Sequence, residues 1–212
     1  MKTILIPVDF SEGSLNSCKY AIRLVDKEPF TFHLFHIYND QVMVPDSSFP
    51  SGLDTDAFFN SDVILAMKVQ AEQNMKSLFD EVSTLLKAGG HSNIKLTFSL
   101  TGGDPQWEIT ETCEELHPDI LIMGTRGQGK KGFLEGSMAE KIMGKAQIPV
   151  LAVPEDYREF HFKNILYPTN FNKLDIYTLQ RVFHLFTHLP FVIHVCHFLL
   201  DGDNDQANIL MD

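Results

Sequence analysis

The chain has 212 residues, 44% of them hydrophobic and 21% charged, and a formal net charge of −11. This composition supplies a buried core without disulfides or metals. Its acidic balance excludes general binding to nucleic acid or an anionic membrane, which need an overall basic surface. The three cysteines, Cys18, Cys113 and Cys196, are odd in number and far apart. They form neither a disulfide framework nor a CxxC zinc site, and they suit a reducing, cytoplasmic compartment.

The opening MKTILIPVDF is too briefly apolar for a signal-peptide core, and no segment approaches the roughly 18 apolar residues that span a bilayer. Residues 2–8 are apolar and β-branched and run into Asp9, which predicts a buried strand. Ser11 or Ser14 caps the following helix, whose apolar stripe is Leu15, Cys18, Ile22 and Val25. On that stripe Cys18 is expected to face the core, the less favoured alternative being a reactive thiol. Residues 30–38 form a second strand. Residues 39–60 carry clusters of Pro, Gly, Ser and Asp and predict a long excursion, either folded over a ligand or serving as a docking surface.

Residues 63–88 have the apolar spacing of a long helix, broken by Gly89 and Gly90, and residues 94–100 predict a third strand. Asp104 and Pro105 are the cap and first turn of a helix over 107–116. A fourth strand at 120–123 leads into GTRGQGKKGFLEGS (residues 124–137), followed by a helix over 137–145 and a fifth strand at 149–153. Five strands alternating with helices predict an α/β domain with a mostly parallel sheet, closing near Pro154.

The pattern then restarts. ILIPVDFS from Ile4 matches ILYPTNFN from Ile165, a helix follows over 173–189, and HLFHIY from His33 resembles FVIHVC from Phe191, which sets His36 opposite His194. The expected organisation is a first domain over 1–154, a linker over 155–163, and an incomplete strand-helix-strand repeat with a polar tail over 164–212. His33 and His36, three apart on a strand, face opposite ways and cannot share a metal. His184 and His188, four apart on the predicted helix, lack a partner ligand at metal spacing.

In a doubly wound sheet, ligands bind beyond the carboxyl ends of the strands where the strand order reverses. Asp9 ends the first strand and Gly124 the fourth. If the two strands are neighbours, the crevice between them has one acidic and one glycine-rich wall. Glycines let backbone N–H groups approach an anion, and the helix opened by Gly136 and Ser137 offers its N-terminus to phosphate. Residues 126–145 hold Arg126, Lys130, Lys131, Lys141 and Lys145 against Glu135 and Glu140. Asp9 is placed to accept hydrogen bonds from a ribose or an adenine amino group. The bland alternative is a plain turn with a solvated basic face.

At these residues the chain resembles the universal stress proteins: ILIPVDFS, the GDP before the third helix, DILIMGTRG, the Gly-Ser pair and IPVLAVP occur in family order across 1–154. The resemblance implies a five-stranded parallel sheet of order 3-2-1-4-5, an adenine nucleotide alpha hydrolase-like fold, and ATP with Mg2+ or Mn2+ as ligand. Asp9 and the backbone near Ile37 would face the adenosine, and Met123 and Gly124 would line ribose and base. Gly127, Gly136, Ser137 and Met138 would hold phosphates, with Pro7, Val8, Arg126 and Gly129 completing the set. The family pattern G-x2-G-x9-G-[ST] is one residue short here, because eight residues separate Gly127 from Gly136. The glycines at 129 and 132 allow the shorter loop to close on phosphate, or mark a loop of changed role.

The expectation is a stress-response protein that binds ATP or a related adenine nucleotide with little or no hydrolysis. No general base is identifiable in the sequence, and Ser137 has no triad around it. The alternatives are a dimeric interaction protein that binds no nucleotide and, less favoured, a nucleotide hydrolase. Asn170 replaces Asp9 in the second copy, which carries no glycine loop. The apolar strand Val150–Val153 is expected at a sheet edge, where it or the half repeat supports a homodimer.

Overall fold

The computed structural model describes residues 1–26, 28–40, 55–125, 138–154 and 162–198, with the backbone alone for the helical residues 55–60. The chain divides into two compact units, Met1–Arg158 and Glu159–Asp212. In the first unit the elements are β1 (Lys2–Pro7), α1 (Glu12–Val25), β2 (Phe30–Tyr38), α2 (Thr55–Ala88), β3 (Lys95–Gly102), α3 (Pro105–Leu116), β4 (Ile120–Gly124), α4 (Met138–Met143) and β5 (Val150–Val153). The five strands form one parallel sheet in the order β3-β2-β1-β4-β5. This is the doubly wound arrangement that the alternation predicts, and it sets β1 beside β4.

The central strands are predominantly apolar because both faces of the sheet are covered. Leu5, Phe35, Leu121 and Met123 point to one side and pack with Ile109 and Cys113 of α3 and Ala139 and Ile142 of α4. Their sequence neighbours Ile4, Ile6, Phe32, Leu34, Ile120 and Ile122 alternate to the other face and are equally buried. There α1 packs on β4 and β5, and α2 on β2 and β3.

Ser11 is the cap of α1, its side chain accepting from the Ser14 N–H. The buried stripe of α1 runs through Ser14, Cys18, Ala21 and Val25, with Ile22 beside it, while Leu15 is half-buried. Burial pushes the Cys18 thiol up to about 12, with the Glu81 charge adding to it, so Cys18 is a core group. The GDP turn also has a physical reason. Gly103 adopts φ +145°, and a Cβ there would lie 2.5 Å from Glu108 Oε1. Asp104 then accepts from the Trp107 N–H at 3.0 Å, and Pro105 begins the helix.

Some boundaries differ from expectation. Helix α2 starts at Thr55, which takes residues 55–60 out of the predicted excursion; residues 41–54 lie outside the described residues. Helix α4 ends at Met143 because Gly144, a poor helix former, follows it. No described helix is long and apolar enough to cross a membrane.

The second unit contains β6 (Asn164–Pro168), α5 (Asp175–Phe186) and β7 (Val192–Cys196), with β6 and β7 paired in parallel. It is a partial copy of the first unit. Ile4 pairs with Phe32 and Ile165 with Ile193, so both strands repeat at one offset of 161 positions (165 − 4 and 193 − 32). That register corrects the expected match of the histidines. His33 corresponds to His194 and His36 to His197, and setting His36 opposite His194 slips β7 by three residues. An odd slip would turn every side chain of the strand to the wrong face. Helix α5 ends at Phe186, so His188 lies beyond it and does not share a helical face with His184.

Candidate functional site

The crevice between β1 and β4 follows from a proline. Odd-numbered residues of β1 face β4: the Thr3 carbonyl accepts from the Asp119 N–H at 2.9 Å, and the Thr3 N–H donates to Asp119 Oδ2 at 2.7 Å. Even-numbered residues face β2, as the Val8 N–H shows by donating to the Phe35 carbonyl at 2.8 Å. Pro7 therefore falls on the β4 edge and has no N–H to offer it. Among the described residues the β1–β4 register covers Ile4↔Ile120 and Leu5↔Leu121, whereas β1–β2 pairing continues to Pro7. Strand β4 meanwhile stays with β5 through Gly124↔Val153, and the Thr125 N–H donates to the Val153 carbonyl at 2.9 Å. The two central strands thus part at their carboxyl ends. By the same alternation, the backbone of Gly124 faces β1 across the gap.

Asp9 stands on the β1 wall in a fixed setting. Its Oδ1 accepts from the Ser11 N–H at 3.1 Å and from the Ser11 and Ser14 hydroxyls, each at 2.5 Å. Its own N–H donates to Ser14 Oγ at 2.9 Å. The first turn of α1 thereby fixes the carboxylate just beyond the carboxyl end of β1. The role of Ser11 and Ser14 in aiming Asp9 was not foreseen from sequence, although the D-F-S-x-x-S spacing carries the signal.

Phe10 follows at φ +62°, a left-handed conformation that a bulky residue adopts only when its surroundings hold it there. Its ring lies 4.2 Å from that of His36. His36 Nδ1 lies 2.7 Å from the Val8 carbonyl, so it is the protonated, donating nitrogen. Burial lowers the pKa of His36, while the bond to Val8 and the charge of Asp9 oppose that shift.

The other expected site residues divide into two groups. Ile37 and Met138 are half-buried and pack against the α3–α4 core cluster, and Met123 is a member of that cluster, 6% exposed. Met123 thus gives its side chain to the core. Arg126, Gly127, Gly129, Gly136 and Ser137 lie outside the described residues. Pro7 ends β1, Val8 and Asp9 follow it, and Gly124 ends the neighbouring strand β4.

A separate cavity of about 490 Å³ opens between the β2–β3 surface and α3, lined by His33, Ser99, Thr101, Glu108, Glu111 and Glu115 among others. Thr97 Oγ1 donates to the Phe32 carbonyl at 3.1 Å, so it accepts from His33 Nδ1 at 2.9 Å, and Nε2 accepts from the Ser99 hydroxyl at 2.8 Å. Burial lowers the His33 pKa and favours this neutral ring. Three carboxylates and a neutral histidine make the cavity a poor place for phosphate. Among the described residues no group of three or more His, Cys, Asp or Glu is placed to hold a metal ion.

Comparison with known proteins agrees with this architecture. A model described as the universal stress protein family matches residues 1–154. Universal stress protein MJ0531 of Methanocaldococcus jannaschii is 30% identical over 159 residues, covering 74% of this chain and 85% of its own length. Universal stress protein MJ0577 of the same organism is 25% identical over 159 residues, covering 72% and 94%. The solved structure of the universal stress protein UspA from Lactobacillus plantarum shares the fold at a TM-score of 0.57 and 18% identity, covering 72% of this chain and 97% of that one. A universal stress protein from Archaeoglobus fulgidus DSM 4304 matches 99% of this chain with 70% of its own, at a TM-score of 0.54 and 20% identity.

Proposed function

Because this chain belongs to the universal stress protein family, we propose that it is a stress-response protein that binds ATP or a related adenine nucleotide in the β1/β4 crevice. One observation carries this reading: the strands part at Pro7, with an oriented carboxylate on one wall and the Gly124 backbone on the other. The Asp9 carboxylate accepts hydrogen bonds from ribose hydroxyls or the adenine amino group. Gly124 leaves room for the nucleoside because it has no side chain. Gly127, Gly129, Gly136 and Ser137 would receive the phosphates through backbone N–H groups and a hydroxyl, and Arg126 adds positive charge. A Mg2+ or Mn2+ ion, when bound, neutralises phosphate charge. The reading is one of binding with little or no hydrolysis, since it assigns no residue to activate a water.

Residues 1–154 form the nucleotide module in this reading, 155–163 the linker and 164–212 the incomplete repeat. The free thiols of Cys18, Cys113 and Cys196 favour a cytoplasmic setting. Calorimetric titration with ATP tests the site, with Gly124→Val and Asp9→Ala as controls. Saturable binding by the wild type and its loss in both variants is expected. No saturable binding at about millimolar ATP, a weak limit for a specific ligand, overturns the reading.

A second reading is favoured by a different observation. Among the described residues strand β5 lies at the sheet edge, where a strand offers its outer side to a partner. In this reading the protein is a homodimer joined through Val150–Val153 or through the half repeat, working through its partners without nucleotide. A monomeric mass in solution would remove it.

A further inference from the structure

Asp9 lies between two residues that one side chain holds. His36 donates from Nδ1 to the carbonyl of Val8 at 2.7 Å and lays its ring 4.2 Å from that of Phe10. Val8 is also tied to β2 by its N–H, while Phe10 sits at φ +62°, a left-handed conformation unfavourable for a bulky residue. The chain therefore leaves β1 in a strained turn whose two shoulders rest on one imidazole.

The second unit repeats the device with different chemistry around it. His197 Nδ1 lies 2.7 Å from the Thr169 carbonyl, its ring lies 4.9 Å from that of Phe171, and Phe171 has φ +56°. The residue held there is Asn170. A histidine at the same register, bonded to the equivalent carbonyl and stacked on the equivalent phenylalanine, is therefore a built feature of this turn.

We infer that His36 is a positioning residue for nucleotide binding: it fixes the turn between Val8 and Phe10 and so sets where the Asp9 carboxylate points. The inference rests on the crevice being the nucleotide site. Without His36, the Val8 carbonyl loses its donor and Phe10 its ring partner. The turn then relaxes and moves Asp9 away from the Ser11 and Ser14 hydroxyls.

Amide hydrogen exchange on the full-length protein, paired with ATP titration, tests this. His36→Leu is expected to lose protection at the Asp9 and Ser11 amides while Ile4, Leu5 and Ile6 keep theirs, and to weaken ATP binding about tenfold. His36→Asn puts an amide donor at the position of Nδ1 and is expected to recover most of both losses. His197→Leu is expected to loosen the second unit and leave ATP affinity unchanged. Unchanged protection at Asp9 and Ser11 in His36→Leu overturns the inference, and so does an equal loss along all of β1, which marks a general stability role. If His36→Leu does not fold, His36→Phe keeps the ring without the donor and is read against His36→Asn by the same criteria. Should the wild type bind no ATP, the nucleotide reading fails, and exchange at Asp9 and Ser11 still decides whether His36 sets this turn.

Discussion

The two copies share a backbone design and differ in where they put the negative charge. In the first, the carboxylate is Asp9 at the strand end and the helix start supplies hydroxyls, Ser11 and Ser14. In the second, the strand end carries Asn170, and the carboxylate has moved to Asp175 on α5. Asp175 accepts from the Tyr167 hydroxyl at 2.9 Å, from the Thr169 hydroxyl, and from the Asn172 N–H at 3.1 Å. Both carboxylates are thus bonded to their own helix start, but the second copy carries its charge on the helix and the first carries it at the end of the strand. Proline, left-handed phenylalanine and histidine are common to both and belong to the fold. In the proposed reading, the carboxylate at the strand end of the first copy serves the nucleotide.

Burial tells the same story. Leu5 is 0% exposed and its counterpart Leu166 is 64% exposed; Leu34 is 0% and its counterpart Val195 is 58%. Phe35, a core residue, is matched by Cys196, a half-buried free thiol. The residue types change little, and what covers them changes a great deal.

The largest expected contrast is chemical. Burial raises the Cys18 thiol from 9.0 to about 12, which leaves about a thousandfold less thiolate at neutral pH. Alkylation followed by mass spectrometry is therefore expected to label Cys196 long before Cys18. Equal labelling would break the contrast between the two units. The next is energetic: Leu5→Ala is expected to cost about 3 kcal/mol of stability in denaturant unfolding, and Leu166→Ala less than about 0.5 kcal/mol. Similar costs would mean that the exposed face of β6 is covered in solution.

Asp9→Asn gives the first copy the strand end of the second. It is expected to weaken ATP binding about tenfold, the scale of one lost hydrogen bond to a charged group. Unchanged affinity would mean that the charge has no part in binding.

The smallest contrast lies in acid. The hydrogen bond from Thr169, helped by those from Tyr167 and Asn172, holds Asp175 below its ordinary carboxyl value against the opposing effect of desolvation. Its contribution is complete above the unfolded value of about 4 and is lost as the pH falls through the lowered folded value. Local exchange at the start of α5 is expected to rise in that window in the wild type and to lose this pH step in Asp175→Asn.

Much of this was legible in the sequence. Strand–helix alternation gave the sheet, and the ILIPVDFS/ILYPTNFN pair gave the repeat, because proline and phenylalanine do backbone work that few other residues can do. Histidine register was not legible: a short apolar window with one histidine matches at two offsets, and only the strand pairing separates them. The start of α2 at Thr55 was hidden by polar residues that suit loops and first turns alike. The aiming of Asp9 by Ser14 was also missed, because a serine at a helix start reads first as a cap.

The most direct test of the account is the stoichiometry of adenine nucleotide binding to the full-length chain, measured by titration calorimetry. One ATP per chain, abolished by Asp9→Ala and untouched by Asn170→Ala, is the expected result. Two sites per chain, or one that survives the loss of Asp9 and disappears with Asn170, would contradict it.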